Sequence, residues 1–137
     1  MVVLAIMGVL ASAVILTLPD GQMSLAQESE RFAARLLRAR EEAVLANRQV
    51  RVSVSPADYS FDVRDGRNWR ALDNKPFAVT AWIEGTEVSA SNDEARVVFE
   101  PTGQASAAEF TLVRRAARFG VSVDLAGNVV IHAARAL

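Results

Sequence analysis

The sequence predicts an α+β protein: a long N-terminal helix, membrane-spanning in its first half and amphipathic in its second, followed by an antiparallel β-sandwich-like domain. Three observations carry this. Residues 1–18, MVVLAIMGVLASAVILTL, contain no charge, although the chain as a whole has 15 Lys and Arg and 16 Asp and Glu. Residues 24–48 place apolar side chains at helical spacing. After Gln49 the apolar period drops from about 3.6 residues to about 2. The expected division is 1–18 as an apolar helix, 19–49 as its amphipathic continuation and 50–137 as a β domain.

Eighteen helical residues span about 27 Å, close to the hydrocarbon thickness of a bilayer. Ten of them are Val, Ile or Leu, together worth about −3 to −6 kcal/mol of insertion free energy with no charge in opposition. Val3, Leu4, Ile6, Gly8, Val9, Leu10, Ala13, Ile15 and Leu16 represent this segment, which has no polar face for a soluble core helix to turn outward. Ala11-Ser12-Ala13 looks like a signal-peptide cleavage site. Against that, no basic region precedes the run, and the apolar residues continue through Leu18. A retained membrane helix is expected.

Composition excludes more than it specifies. One compact domain fits in the 88 residues from 50 to 137. A net charge of −1 provides no overall basic field for nucleic acid. Cysteine is absent, so no disulfide or thiol chemistry is available.

Pro19-Asp20-Gly21 interrupts the helical signal, since proline lacks the N–H and clashes with the preceding turn. Ser24 and Gln27 then form a capping-box pattern. Leu25, Phe32, Leu36, Ala39 and Ala43 make an apolar stripe, widened by Ala33, Leu37 and Val44. Glu28, Arg31, Arg35, Arg38, Glu42 and Arg48 are expected in other directions, with Arg38 and Glu42 paired at i,i+4. The helix should end near Asn47 and pack Leu25, Phe32, Leu36 and Ala43 on the β domain.

Short strands follow at 50–54, 59–64, 68–72, 77–83, 96–100, 109–115 and in a final pair, FGVSVD and VVIHA, joined by Leu125-Ala126-Gly127-Asn128. Asp65-Gly66 signals a type I′ hairpin.

Chemistry is sparse. The single histidine, His132, falls in a strand, where a surface or packing role is expected. Asp58, Asp65, Asp73, Asp93 and Glu94 sit in turns that suit their side chains. The segment 91–95, SNDEA, lacks the ligand alternation and glycine of a calcium loop. No glycine-rich phosphate loop occurs. No cofactor or metal is expected. Arg114, Arg115, Arg118 and Arg135 gather in the last third and could share a phosphate-binding patch, but a charged, solvated sheet edge is the expected reading, since no interleaved aromatics offer base stacking.

The apolar run followed by an amphipathic helix resembles the N-terminus of type IV pilins and type II secretion pseudopilins. VVFEPTGQAS (97–106), FTLVRR (110–115) and VSVDLAGNVVIH (121–132) resemble the H-type minor pseudopilin, with Phe99, Pro101, Gly103 and the Gly127 turn carrying its pattern. In that family a cleavage glycine, an N-methylated phenylalanine and a nearby glutamate precede a run like this one. They have no counterpart in the present chain, so an N-terminally trimmed chain is expected and no residue is assigned to processing, methylation or subunit registration.

The resemblance implies a pilin-like fold and a non-enzymatic subunit of a bacterial type II secretion pseudopilus, placed at or near its tip. It implies a single-pass inner-membrane helix before assembly, a periplasmic β domain, and burial of residues 1–18 among neighbouring helices afterwards. Close approach there suits the small residues Gly8, Ala11, Ser12 and Ala13. Implied partners are other minor pseudopilins and the major pseudopilin, with secreted substrate and the secretin as further candidates. Two alternatives remain open at this point. One is a type IV minor pilin that binds DNA through Arg114, Arg115, Arg118 and Arg135. The other is a membrane-anchored periplasmic enzyme or binding domain.

Overall fold

The computed structural model describes residues 23–133. The apolar run, with Val3, Leu4, Ile6, Gly8, Val9, Leu10, Ala13, Ile15 and Leu16, lies outside these residues, as does Arg135. Helix α1 (Leu25–Ala46) begins at a closed capping box: the Gln27 amide donates to Ser24 Oγ at 3.1 Å, and the Ser24 amide donates to Gln27 Oε1 at 3.0 Å. Two otherwise unpaired donors of the first turn are thereby satisfied. Asn47 ends the helix in the left-handed conformation, φ 55° and ψ 44°, with its N–H bonded to the Ala43 carbonyl.

Among the described residues nine strands follow in two antiparallel sheets. β1 (Val50–Val54), β2 (Asp58–Asp65), β3 (Asn68–Ala71), β4 (Thr80–Ala81) and β6 (Arg96–Phe99) form the first, in the order β3-β2-β1-β6, with β4 also paired to β2. β5 (Glu87–Ala90), β7 (Ala108–Arg114), β8 (Ala117–Val123) and β9 (Val129–Ala133) form the second, in that order. Alternation decides which side chains meet the helix: Val50, Val52, Phe61, Val97 and Phe99 turn inward from the first sheet, and Phe110, Leu112, Val121 and Val123 from the second. The fold is the expected one, a single described helix ahead of antiparallel sheets.

Helix α1 packs on β1 and β6 of one sheet and on β7, β8 and β9 of the other. Phe32 is the hinge pin of this contact. Its ring lies edge-on to Tyr59 at 5.0 Å, Trp82 at 5.2 Å and Phe110 at 5.4 Å, so one helix residue joins both sheets. Truncating such a fully buried aromatic to alanine typically costs about 3–5 kcal/mol.

The structure departs from expectation in three strands or turns. Of the segment 77–83, only Thr80 and Ala81 pair. Phe77 and Trp82 both reach the core, Phe77 against Phe61 and Trp82 against Phe32. Five residues apart, they would point to opposite faces of one straight strand, so the chain turns between them. β5 went unexpected because Glu87 and Ser89 are exposed and Val88 and Ala90 only half-buried. At the β2–β3 hairpin Asp65 pairs with Asn68, leaving Gly66 and Arg67 as the loop. Only Gly66 has a positive φ, 65°, which is the type II′ pattern and not the expected type I′.

Candidate functional site

Two polar anchors fix α1 to the sheets and so determine which of its flanks remain open. The first lies in its opening turn. Glu28, expected among the outward-facing charges, is buried: it is three residues beyond Leu25 and four before Phe32, on the apolar stripe itself. Its Oε1 accepts from Arg114 Nη2 at 2.9 Å and from Thr86 Oγ1 at 2.8 Å, and its Oε2 accepts the Ile83 amide at 2.8 Å. Arg114 completes its own set by donating Nε to Thr86 Oγ1 at 3.0 Å and Nη1 to the Met23 carbonyl at 2.9 Å. A buried ion pair is tolerable only when its remaining donors and acceptors are satisfied in this way.

The second anchor unites the glycines of the Phe-x-Pro-x-Gly segment and of the last hairpin. Arg40 Nε donates to the Gly103 carbonyl at 2.9 Å. Gly127 lies against the same carbonyl, and a Cβ there would overlap the Gly103 oxygen and crowd the Arg40 guanidinium at 2.7 Å. Gly103 and Gly127 also hold φ values of 90° and 87°, where an L side chain is strained. Phe99 is fully buried at the end of β6, paired with Val50, and Pro101 is half-buried in the turn that presents Gly103. The four motif residues thus build a socket for Arg40. Arg40 itself was not singled out in the sequence; only its place beside the apolar stripe hinted at it.

Of the proposed stripe, Leu25, Phe32, Ala33, Leu36, Ala39 and Ala43 are buried against the β domain. Leu37 and Val44 are not. They are 41% and 48% exposed, and Leu45 is 83% exposed, because the anchors turn a narrower face inward. Arg38 approaches Glu41 at 3.8 Å instead of pairing with Glu42.

Among the described residues the arginine cluster does not form one patch. Arg114 is drawn into the core by Glu28, while Arg115 and Arg118 stay exposed at the β7–β8 hairpin. The turn acids take ordinary partners: Asp58 accepts from Ser55, Asp65 meets Arg48 and Arg70, and Glu94 meets Arg96, while Asp73 and Asp93 are exposed. Among the described residues no group of three or more His, Cys, Asp or Glu could hold a metal ion. His132 lies over Gly120 on the outer face of the second sheet, with Nε2 3.3 Å from Ser122 Oγ and 3.5 Å from Glu109 Oε1. Both neighbours approach the same nitrogen. A base relay needs the hydroxyl and the carboxylate on opposite nitrogens, so this trio is not arranged as a triad.

Residues 28–127 match the sequence model of the family described as "Type II transport protein GspH". The chain belongs to the GspH family. Solved structures agree in fold. The minor pseudopilin EpsH from the type 2 secretion system of Vibrio cholerae superposes with a TM-score of 0.70 at 18% identity, covering 79% of this chain and 95% of that one. The type IV minor pilin FimU of Pseudomonas aeruginosa gives 0.64 at 16% identity, covering 79% and 87%. The solution structure of Escherichia coli GspH gives 0.61 at 17% identity, covering 78% and 86%. No curated protein matches the chain.

GspH-family membership makes this an H-type minor pseudopilin with a pilin-like fold; pseudopilins of that family work together in an envelope-associated pseudopilus. The family match spans the whole distance from Glu28 in the first anchor to Gly127 in the second. Among the described residues no helix is long and apolar enough to cross a membrane.

Proposed function

We propose that the chain is a non-catalytic structural subunit at or near the tip of the type II secretion pseudopilus, supporting protein export across the outer membrane. Residues 1–18 anchor it once in the inner membrane, with the β domain in the periplasm, and on assembly exchange lipid for the helices of neighbouring subunits. Other minor pseudopilins and the major pseudopilin are its principal partners; secreted substrate and the secretin are further ones.

The observation that carries this reading is the arrangement of α1. Its inner face is locked to both sheets by Glu28–Arg114 and Arg40–Gly103, while Leu37, Val44 and Leu45 remain in solvent on its other flanks. An apolar run of membrane length leads into that same helix. A rigidly mounted helix with exposed apolar residues suits helix-on-helix packing in a polymer. The test is Val44→Asp with Leu45→Asp in the full chain. Folding should be retained, with co-purification of other minor pseudopilins from detergent-solubilised membranes and protein secretion both lost. Unchanged co-purification and secretion would overturn it.

A further inference from the structure

A second surface lies on the other side of α1. Arg31 and Arg35, one helical turn apart, face the segment from Lys75 to Ala81 across an open groove of about 530 Å³. Among the described residues three cations line it, and no carboxylate does. Arg35 is held in place by neutral groups: its Nη1 donates to Tyr59 Oη at 2.9 Å and to Thr80 Oγ1 at 2.7 Å. Among the described residues, Arg31, Arg35 and Lys75 make no ion pair. The groove therefore carries uncompensated positive charge on a guanidinium already fixed for binding.

Its far wall is a strand edge. β4 pairs with β2 through Tyr59–Thr80 and Asp58–Ala81, and the Trp82 amide donates to the Ala57 carbonyl at 3.1 Å. By the alternation of an antiparallel ladder, Thr80 and Trp82 direct their backbone groups to β2, while Val79 and Ala81 direct theirs away from it. Side chains alternate too: Thr80 turns to Arg35 and Trp82 to the core, leaving Val79 59% exposed and Ala81 exposed on the opposite face. An exposed edge of this kind is a template for an added strand.

We propose that this groove binds an extended segment of a partner protein in which acidic and apolar residues alternate, added as a strand along β4. Alternate side chains of a strand recur at about 6.6 Å. Successive turns of a helix bring Arg31 and Arg35 to about 6 Å. Carboxylates on one face of the segment meet Arg31, Arg35 and Lys75, while apolar side chains on the other face cover Val79 and Ala81. Such binding does not depend on where the subunit stands in the filament.

The test uses the full chain in neutral detergent and a fluorescein-labelled peptide of alternating Glu and Val, followed by fluorescence anisotropy. Saturable binding is expected, weakened at least tenfold by Arg31→Glu with Lys75→Glu, and lost when alternate backbone amides of the peptide are N-methylated. Arg31 and Lys75 make no hydrogen bond within the described fold, so the variant should keep the native circular dichroism spectrum. Equal binding of a Gln/Val peptide, or indifference to the charge reversal or to N-methylation, would overturn the proposal. So would failure of the peptide to bind while phosphatidylglycerol nanodiscs, unlike phosphatidylcholine ones, retain the isolated chain through Arg31 and Lys75, since that result assigns the groove to a membrane surface.

Discussion

Glu28 on α1 and Arg114 at the end of β7 meet at 2.9 Å with side chains only 6% and 13% exposed. Eighty-six residues separate them in sequence, so the pair closes the first turn of the helix onto the second sheet. Arg114→Ala leaves Glu28 buried without its countercharge, and the expected loss is about 3–5 kcal/mol. Replacing both, with Glu28→Leu and Arg114→Met, should recover most of that loss, because the single variant suffers chiefly from the stranded charge. Urea unfolding of the two variants beside the parent measures both quantities.

Gly127→Ala should destabilise the fold by about 2–4 kcal/mol, combining left-handed backbone strain with overlap against the Gly103 carbonyl. Gly66→Ala is the control. Its φ is also positive, 65°, but a Cβ there meets nothing within 4 Å. It should lose only the strain, about 1–2 kcal/mol. Equal losses at both positions, measured by thermal and urea unfolding, would show that the Arg40 socket does not depend on the close approach of the two loops.

At the β7–β8 hairpin Arg114 pairs with Ala117, and Arg115 takes the first loop position with φ 56°. That position favours glycine, as at Gly66 in the β2–β3 hairpin. Arg115→Gly should therefore raise stability by about 0.5–1 kcal/mol, relieved strain outweighing the added freedom of the unfolded chain. Because Arg115 is exposed, the gain should appear as a higher urea midpoint without a change in slope.

Asp124 provides a pH dependence with a definite sign. Its Oδ1 accepts the Asn128 amide at 2.9 Å and its Oδ2 accepts Asn128 Nδ2 at 3.1 Å. These bonds, the backbone one foremost, hold its carboxyl below the ordinary aspartate value of 3.8. A depressed folded-state value means that the ionised turn is stabilising above the unfolded-state value and that this contribution disappears as pH falls through the folded one. Asp124→Ala should accordingly flatten the acid limb of a stability-versus-pH curve below about pH 4 while leaving its slope near neutrality unchanged. A carboxyl NMR titration of Asp124 should place its midpoint below the ordinary aspartate value.

The helix and most strands were legible because their signals are local. The capping residues Ser24 and Gln27, the period of the stripe, and the alternation in 50–54 and 129–133 each need only their own neighbours. Phe77 and Trp82 defeated that logic: both are core residues, and only tertiary packing shows that they cannot share one strand. Glu28 and Arg40 were harder for the same reason. A charge on or beside an apolar stripe becomes an anchor only if a distant partner arrives, and Arg114 and Gly103 are brought there by the sheets. The motif glycines were visible as family residues before their shared contact with Arg40 was. Arg114 shows the converse, since its neighbours in sequence, Arg115 and Arg118, suggested a surface patch that its partner in space removes.

The central claim is that the apolar leading segment passes from lipid into contact with neighbouring subunit helices. The chain has no cysteine, so Ala13→Cys provides one unambiguous probe. Membrane-fractionated cells expressing this variant alone should hold the chain in the bilayer fraction, resistant to carbonate extraction and without cross-links. Cells that also produce the other pseudopilins, each with a cysteine at the corresponding helix position, should give disulfide-linked heterodimers. A carbonate-soluble monomer with the introduced thiol buried inside its own domain, and no cross-link in either background, would contradict the account.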